Sequence, residues 1–150
     1  MTKANLKLLP FRHLWGVTDP LEAAAAKFQQ RGYAGIESHF GDAAQRRAAR
    51  QLLESLGMKN IAFAFTQPHL VAGHTVSAHL ESLHTVLQES LETNPVLINV
   101  HAGWDAWSES ETLEFFTAAL NMVSPLPVPV GFETHPGAHC KSSRRCLSCA

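Results

Sequence analysis

The sequence predicts an α/β fold in which short parallel strands alternate with helices. Short apolar runs recur along the chain, and the longer segments between them space their apolar residues as helices do. Regular alternation of strand and helix favours right-handed crossovers and a parallel sheet. This rhythm leaves two architectures open, an open doubly wound sheet and a (β/α)8 barrel. No glycine-rich phosphate-binding fingerprint follows a strand, which disfavours the dinucleotide-binding version of the open sheet.

The first predicted unit is a strand followed by an alanine-rich helix. The strand is expected at Phe11–Trp15. Asp19 and Pro20 are expected as the N-cap and the first helical residue, because the N–H that proline lacks is not needed there. The helix continues over Leu21–Arg31 and ends at Gly32, since glycine readily adopts a left-handed C-cap conformation.

The next unit begins with a short strand at Tyr33–Ser38. Asp42 is the expected N-cap of a helix that runs through Leu56 and ends before Gly57. The following strand, Ile61–Phe65, is apolar throughout. An uninterrupted apolar strand is typical of a sheet that is covered on both faces.

Thr75 opens the third predicted helix, whose apolar residues recur at steps of three or four. That spacing places them on one stripe that faces the core. His79 and His84 of the same helix are expected to be solvated or to flank the stripe. A fourth strand follows at Val96–Val100. The residues of the stripe are Val76, Leu80, Leu83, Leu87 and Leu91.

Ser108 and Glu111 form an S-x-x-E capping box, which predicts the start of a fourth helix. A proline-rich turn ends this helix, and a fifth strand is expected at Val130–Glu133. The predicted core-facing residues of the fourth helix are Leu113, Phe116, Leu120 and Val123.

Composition and charge exclude several classes of function. The 150 residues are 45% hydrophobic, and 12 Lys and Arg against 13 Asp and Glu leave a net charge of -1. Without a basic excess to neutralise phosphates, no nucleic-acid partner is expected. No apolar run approaches the roughly 18 residues that indicate a membrane span. The N-terminus lacks the features of a signal peptide, so a cytoplasmic protein without a membrane partner is predicted.

The end of the chain departs from the α/β pattern. The predicted barrel domain spans residues 1–135, and residues 136–150 form an irregular, disordered tail rich in Cys, Arg and Ser. An odd number of cysteines confined to one end does not build a disulfide framework, which favours a reducing compartment. The three cysteines are Cys140, Cys146 and Cys149.

Polar side chains follow the predicted strands, at the end where the loops of a parallel α/β fold form the site. Because side chains alternate along a strand, residues two apart at such an end point the same way. Carboxylates and imidazoles gathered at one rim would suit a divalent cation. The polar residues at the strand ends are Glu37, His39, Gln67, His69, Asn99, His101, Glu133 and His135.

Four short segments resemble the xylose isomerase-like TIM barrels. This family contains sugar and sugar-phosphate isomerases and epimerases, with DNA-repair endonucleases as relatives. The resemblance covers about residues 8–135 and implies a (β/α)8 barrel, a divalent metal such as Mn, Mg, Co or Zn, and a sugar or sugar-phosphate substrate. The segments are LWGV (Leu14–Val17), GYAGIES (Gly32–Ser38), INVHAGWD (Ile98–Asp105) and GFETH (Gly131–His135).

The resemblance also implies roles for individual residues. Glu133 matches the glutamate at the end of the fifth strand that binds the catalytic metal, and it would also act as an acid/base carboxylate. Glu37 and His101 match positions that hydrogen-bond sugar hydroxyls. Trp15 and Trp104 would supply apolar walls against a sugar ring. The implied reaction moves a proton or a hydride between adjacent sugar carbons while the metal polarises the oxygens.

The same resemblance indicates a truncated barrel. A complete barrel takes about 250 residues, and the family's later ligands, from strands six to eight, have no counterpart in this sequence. The chain is therefore predicted to hold about five parallel strands and four intervening helices, with an incomplete active site. Two alternatives stay open for that site, a bound divalent metal and none. Open strand edges favour a homo-oligomer. The alternatives are a non-catalytic fragment or association partner, and a metal-dependent, endonuclease-like phosphodiesterase.

Overall fold

A computed structural model describes residues 7–66 and 74–133 of the chain. Over these residues, five parallel strands form one sheet in sequential order and alternate with four helices. The strands are β1 (Phe11–His13), β2 (Gly35–Ser38), β3 (Lys59–Phe65), β4 (Leu97–His101) and β5 (Val130–Phe132), and the helices are α1 (Leu21–Gln30), α2 (Ala43–Ser55), α3 (Val76–Leu91) and α4 (Glu109–Val123). A doubly wound sheet reverses direction at a switch point, whereas a barrel adds each strand beside the last. The prediction of a partial α/β barrel is confirmed.

The sheet has one face covered by helices and one open face. The side chains of Ile36, Ala62 and Val100 are buried beneath the helices. The alternate residues of the same strands, such as Phe63 and Asn99, are only half-buried and line the inner face of the partial barrel. The expectation that the third strand is covered on both faces is therefore wrong. Within residues 7–66 and 74–133 no pairing joins β1 to β5, so the inner face stays open.

Two apolar clusters hold the helices against the covered face. The first contains Ile36 of β2 and Leu53 of α2, together with residues of α1. The second contains Ile98 of β4 and Phe115 of α4. Three residues of the predicted apolar stripe of α3 lie in this second cluster, and the other two, Leu80 and Leu91, pack against it, which confirms the spacing argument.

Side-chain caps fix the starts of three helices where the sequence predicts them. Asp42 and Gln45 form a capping box at α2, so this helix begins after Asp42. Ser108 and Glu111 form a second capping box at α4. Thr75 Oγ1 accepts a hydrogen bond from a backbone N–H in the first turn of α3. Such caps satisfy backbone donors that the first helical turn leaves unpaired.

The predicted cap of the first helix is wrong. Pro20, not Asp19, is the N-cap of α1, with φ -54° and ψ 148°, and its side chain offers no capping hydrogen bond. The extended conformation of Pro20 leaves Asp19 one residue too early to reach the free N–H groups. The Asp19 carboxylate instead pairs with Lys27 Nζ at 2.8 Å. The first strand also ends at His13, two residues before the predicted end at Trp15.

The predicted core face of α4 is also partly wrong. Leu113 and Leu120 are 55% and 53% exposed, whereas Phe115 and Ala119 are fully buried. Phe116 is half-buried, between the exposed leucines and the buried residues, and it contacts Phe132 of β5. No element in the described part of the chain lies beyond β5, so the side of α4 that points away from α3 has no cover.

Gly35 allows β2 to approach its two neighbouring strands closely. A Cβ at this position would overlap the backbone carbonyl of Lys59 on β3 and the ring of Phe11 on β1. We expect Gly35→Ala to lower the free energy of unfolding by about 2 kcal/mol, because overpacked backbone has no room to relax. Gly131→Ala is the matched control, since a Cβ at Gly131 meets nothing within 4 Å. Urea unfolding followed by circular dichroism measures both, and equal losses would contradict this account.

Some expectations fall outside the described residues. These include Gln67, His69 and His135, as well as the tail at residues 136–150 with its cysteines. In the described part of the chain, no helix is both long enough and apolar enough to cross a membrane.

Candidate active site at the carboxyl ends of the strands

Polar side chains from β2, β4 and the end of β5 meet on the inner face. Asn99 Nδ2 donates to Glu37 Oε1 at 3.0 Å and to Glu133 Oε2 at 2.7 Å. The register accounts for this contact: Asn99 lies opposite Gly131, and Glu133 follows Gly131 by two residues and therefore shares its face. A single amide therefore holds carboxylates from two different strand ends.

His101 completes this group, which we call the rim cluster: Glu37, Asn99, His101 and Glu133. His101 Nε2 lies 2.8 Å from Glu133 Oε2, and the His101 side chain is 13% exposed whereas that of Glu133 is 44% exposed. The imidazole is thus anchored in the fold while the carboxylate opens to solvent.

Aromatic rings on the inner face pack against His101 of the rim cluster. The ring of Phe63 meets His101 edge-on with a centroid separation of 4.5 Å, and Phe65 does so at 5.5 Å. On its other side Phe63 meets His13 at 5.3 Å. His13 Nδ1 accepts a hydrogen bond from the backbone N–H of Trp15 at 2.7 Å, which places the proton of the neutral ring on Nε2. The inner face therefore presents apolar ring surface beside paired carboxylates.

The two predicted tryptophan walls flank the rim cluster rather than join it. Trp15 is 84% exposed and lies beside His13, with ring centroids 6.3 Å apart. Trp104 stacks on His74, with ring centroids 3.7 Å apart and planes inclined by 2°. Their role as walls for a sugar ring stays a prediction. His39 is exposed, and its Nδ1 accepts from the backbone of Gly41.

The structure brings together Glu37, His101 and Glu133, the three polar residues singled out in the sequence. It adds Asn99, which the sequence argument placed at a strand end without giving it a role. The signal was present, because Asn99 precedes His101 by two residues and therefore shares its face. What the strand pattern could not show is that the side chain of Asn99 bridges two neighbouring glutamates.

His79 is a second residue that the sequence argument misjudged. It was expected at the solvated or flanking side of α3, but it is 1% exposed. Burial lowers the pKa of His79 from 6.5 to about 4, and the nearby His74 adds to the effect. The signal was again present: His79 lies three residues after Val76 and four before Leu83, within the apolar stripe.

The described residues do not fit the metal centre that the resemblance implies. Within residues 7–66 and 74–133, no three His, Cys, Asp or Glu side chains come close enough to hold a metal ion. Glu133 Oε2 already accepts from Asn99 and contacts His101. The role of Glu133 as a metal ligand stays a prediction.

A scan of protein-family models and a search of curated proteins find no match to this sequence. Solved structures do match. The IolI protein with a zinc atom superposes with a TM-score of 0.68 at 10% identity, over 95% of this chain and 58% of that protein. An AP endonuclease, family 2, from Brucella melitensis gives 0.62 at 14% identity, over 88% and 59%. D-psicose 3-epimerase in the presence of D-fructose gives 0.61 at 10% identity, over 82% and 51%.

The fold and the position of the rim cluster define an α/β protein of the TIM-barrel class, with its polar residues at the carboxyl ends of the strands. More particularly, the structural neighbours are xylose isomerase-like TIM-barrel proteins, as the resemblance predicted. The chain spans between 51% and 59% of the length of these three neighbours. At such low identities the likeness concerns the fold, and one neighbour carries zinc.

Proposed function

We propose that the rim cluster binds a sugar or sugar phosphate and moves a proton between adjacent carbons, as an isomerase or epimerase does. The observation that carries this proposal is the amide of Asn99, which donates to Glu37 and Glu133 at 3.0 and 2.7 Å. Carboxylates held in this way are suited to accept hydrogen bonds from neighbouring sugar hydroxyls. The rings of Phe63 and Phe65 offer apolar surface for the C–H face of the sugar.

Glu133 is the proposed proton carrier. Its carboxylate is more exposed than the His101 imidazole beside it, so a ligand on the inner face can reach it. A carboxylate can remove a proton from the carbon next to a carbonyl and return it to the same or the neighbouring carbon. Asn99 and His101 hold Oε2 of Glu133 in position, and Glu37 would bind an adjacent hydroxyl.

Titration of the 15N-labelled protein with D-fructose tests the binding step. We expect the side-chain amide resonances of Asn99 to shift. Those of Asn94, which donates to Glu54 on the outer surface, should stay in place. The variant Asn99→Leu should weaken D-fructose binding about tenfold, because it removes the hydrogen bonds that orient both carboxylates. If saturating D-fructose leaves the Asn99 amide unmoved, the proposed binding site is wrong.

Deuterium exchange tests the proton-transfer step. In D2O, we expect the chain to incorporate deuterium at the carbon next to the carbonyl of D-fructose, and Glu133→Gln to abolish this incorporation. Glu81→Gln is the control, since Glu81 is exposed on α3. D-fructose that binds at Asn99 without any exchange would instead support the alternative of a non-catalytic protein.

The endonuclease-like alternative has support from one neighbour, the AP endonuclease. The charge of the chain argues against it, because a net charge of -1 supplies no excess of Lys and Arg for a phosphate backbone. Two carboxylates at the rim would add to the repulsion of a polyanion. Binding of an abasic duplex at low salt, with affinity that falls as salt rises, would favour this alternative over a sugar substrate.

We also propose that a second copy of the chain covers the open edges. Within the described residues, β1 and β5 each pair with a single strand, and unpaired parallel edges favour association. Leu113 and Leu120 add exposed apolar surface on the same side as Phe116, the residue of α4 that contacts β5.

We expect a dimer by light scattering, and the double variant Leu113→Ser/Leu120→Ser should shift it toward the monomer. Asn121→Ser, also exposed on α4, should not, and a wild-type chain that stays monomeric at high concentration would contradict the proposal.

A further inference from the structure

A buried hydrogen-bonded chain links α3 to the end of β4, behind the rim cluster. His79 Nδ1 lies 2.8 Å from Thr66 Oγ1, and both residues are buried. The same oxygen of Thr66 accepts a hydrogen bond from the backbone N–H of Gly103 at 3.3 Å. The backbone N–H of Thr66 donates to the carbonyl of His101 at 3.0 Å. Thr66 therefore hydrogen-bonds to the backbone of both residues that flank Ala102, namely His101 and Gly103.

Aromatic contacts hold His79 in place and tie the same segment to the start of α3. The ring of Trp107 meets His79 with a centroid separation of 4.8 Å. Trp107 Nε1 donates to the carbonyl of His74, and His74 in turn stacks on Trp104. The segment between β4 and α4 thus contacts His79 within α3 and His74 just before the helix.

Thr66 Oγ1 joins Gly103 to His79. The oxygen accepts from Gly103 N–H and keeps its own proton and a second lone pair, so it can pair with Nδ1 of His79 in either tautomer of the neutral ring. Gly103 adopts φ 97°, a conformation that favours glycine, so the turn after β4 is built to bring this N–H to Thr66.

We propose that His79 is a positioning residue for the rim cluster: through Thr66 it fixes the end of β4 and so holds the His101 imidazole against Glu133. The proposal rests on the function proposed above only for its effect on sugar binding. His79 touches neither Glu37 nor Glu133, and its action passes through the backbone on either side of Ala102. A change at His79 or Thr66 should therefore move His101 without removing any group from the rim cluster.

The variants Thr66→Val and Thr66→Ser test the proposal. Valine keeps the shape of the threonine side chain without its hydroxyl, and serine keeps the hydroxyl. With Thr66→Val we expect displaced imidazole resonances of His101 and about tenfold faster hydrogen exchange at the Gly103 amide, since one buried hydrogen bond is lost. D-fructose affinity should fall by a similar factor, and Thr66→Ser should restore all three observables. A purely structural residue would lower stability without moving His101.

His79→Leu and His79→Asn apply the same test from the other end of the hydrogen bond. Asparagine can still hydrogen-bond to Thr66, as donor or acceptor, so only the leucine variant should displace the His101 resonances. The proposal is overturned if folded Thr66→Val and His79→Leu proteins keep wild-type His101 resonances. If the wild-type chain does not bind D-fructose at all, the proposed function fails separately, and the resonances of His101 still decide whether His79 is a positioning residue.

Discussion

Replacing Phe115 with alanine is expected to lower the free energy of unfolding by about 4 kcal/mol. Phe115 is fully buried in the cluster that joins α3 and α4 to the sheet. Its ring meets those of Trp107 and Phe116 at 5.2 Å, and that of His79 at 6.3 Å. Truncation would leave a cavity among rings that other contacts already hold, so the site has little freedom to collapse. Urea unfolding followed by circular dichroism at neutral pH measures the loss.

Leu113→Ala is the matched control for Phe115→Ala, because both residues lie on α4 and only the first is exposed. At protein concentrations that keep the chain monomeric, we expect Leu113→Ala to change the free energy of unfolding by less than about 0.5 kcal/mol, as exposed substitutions usually do. The pair also decides between the two faces of α4. A large loss at Leu113 and a small one at Phe115 would mean that the helix buries the face predicted from its sequence, and the packing described above would be wrong.

The order of the elements could be predicted because each signal is local. Capping residues such as Asp42 and Ser108 satisfy the backbone of their own helix, and the apolar stripe of α3 follows from helical spacing alone. The same holds within a single strand, where alternation is enough to place Asn99 and His101 on one face. These conclusions need no knowledge of which elements become neighbours.

The errors concern residues whose environment depends on neighbours. In α4, the apolar spacing allows two adjacent faces, one through Leu113 and one through Phe115. The choice depends on what packs against each face, and among the described residues α3 covers the second while nothing covers the first. The cap of α1 failed for a more local reason, since an extended Pro20 takes the position expected for Asp19.

In the candidate site, too, local sequence signals predict some features, and others depend on which elements become neighbours. Which residues of one strand share a face was predictable, whereas the bridge from Asn99 to both glutamates depends on the register across the sheet. The sequence alone does not decide whether a histidine in an apolar stripe is buried or exposed. Burial requires a hydrogen-bond partner for each ring nitrogen, and the stripe does not show which residues supply those partners. For His79 those partners are Thr66 and His74, and Thr66 lies 13 residues earlier in the chain.

Lowering the pH from about 7 to about 4 is expected to remove about 3 kcal/mol of stability through His79 alone. The folded state depresses the pKa of His79 to about 4, from 6.5, because burial disfavours the charged ring. Between these two values the unfolded chain binds a proton that the folded chain does not, so stability falls as the pH falls. The contribution is complete above pH 6.5 and is lost as the pH approaches 4.

Carboxylates also titrate at low pH, so the contribution of His79 to the stability has to be separated from theirs. Two histidine variants, His79→Asn and His84→Gln, separate them. His79→Asn removes the titrating ring while keeping an acceptor for Thr66, so its unfolding free energy should depend less steeply on pH than that of the wild type. His84→Gln should keep the wild-type dependence, because His84 is exposed on the same helix. Urea midpoints measured at intervals from pH 7.5 down to about pH 4.5 provide the comparison. Parallel curves for His79→Asn and wild type would show that the buried imidazole accepts its proton as readily as a free one, which a ring enclosed by Trp107 and Phe115 should not do.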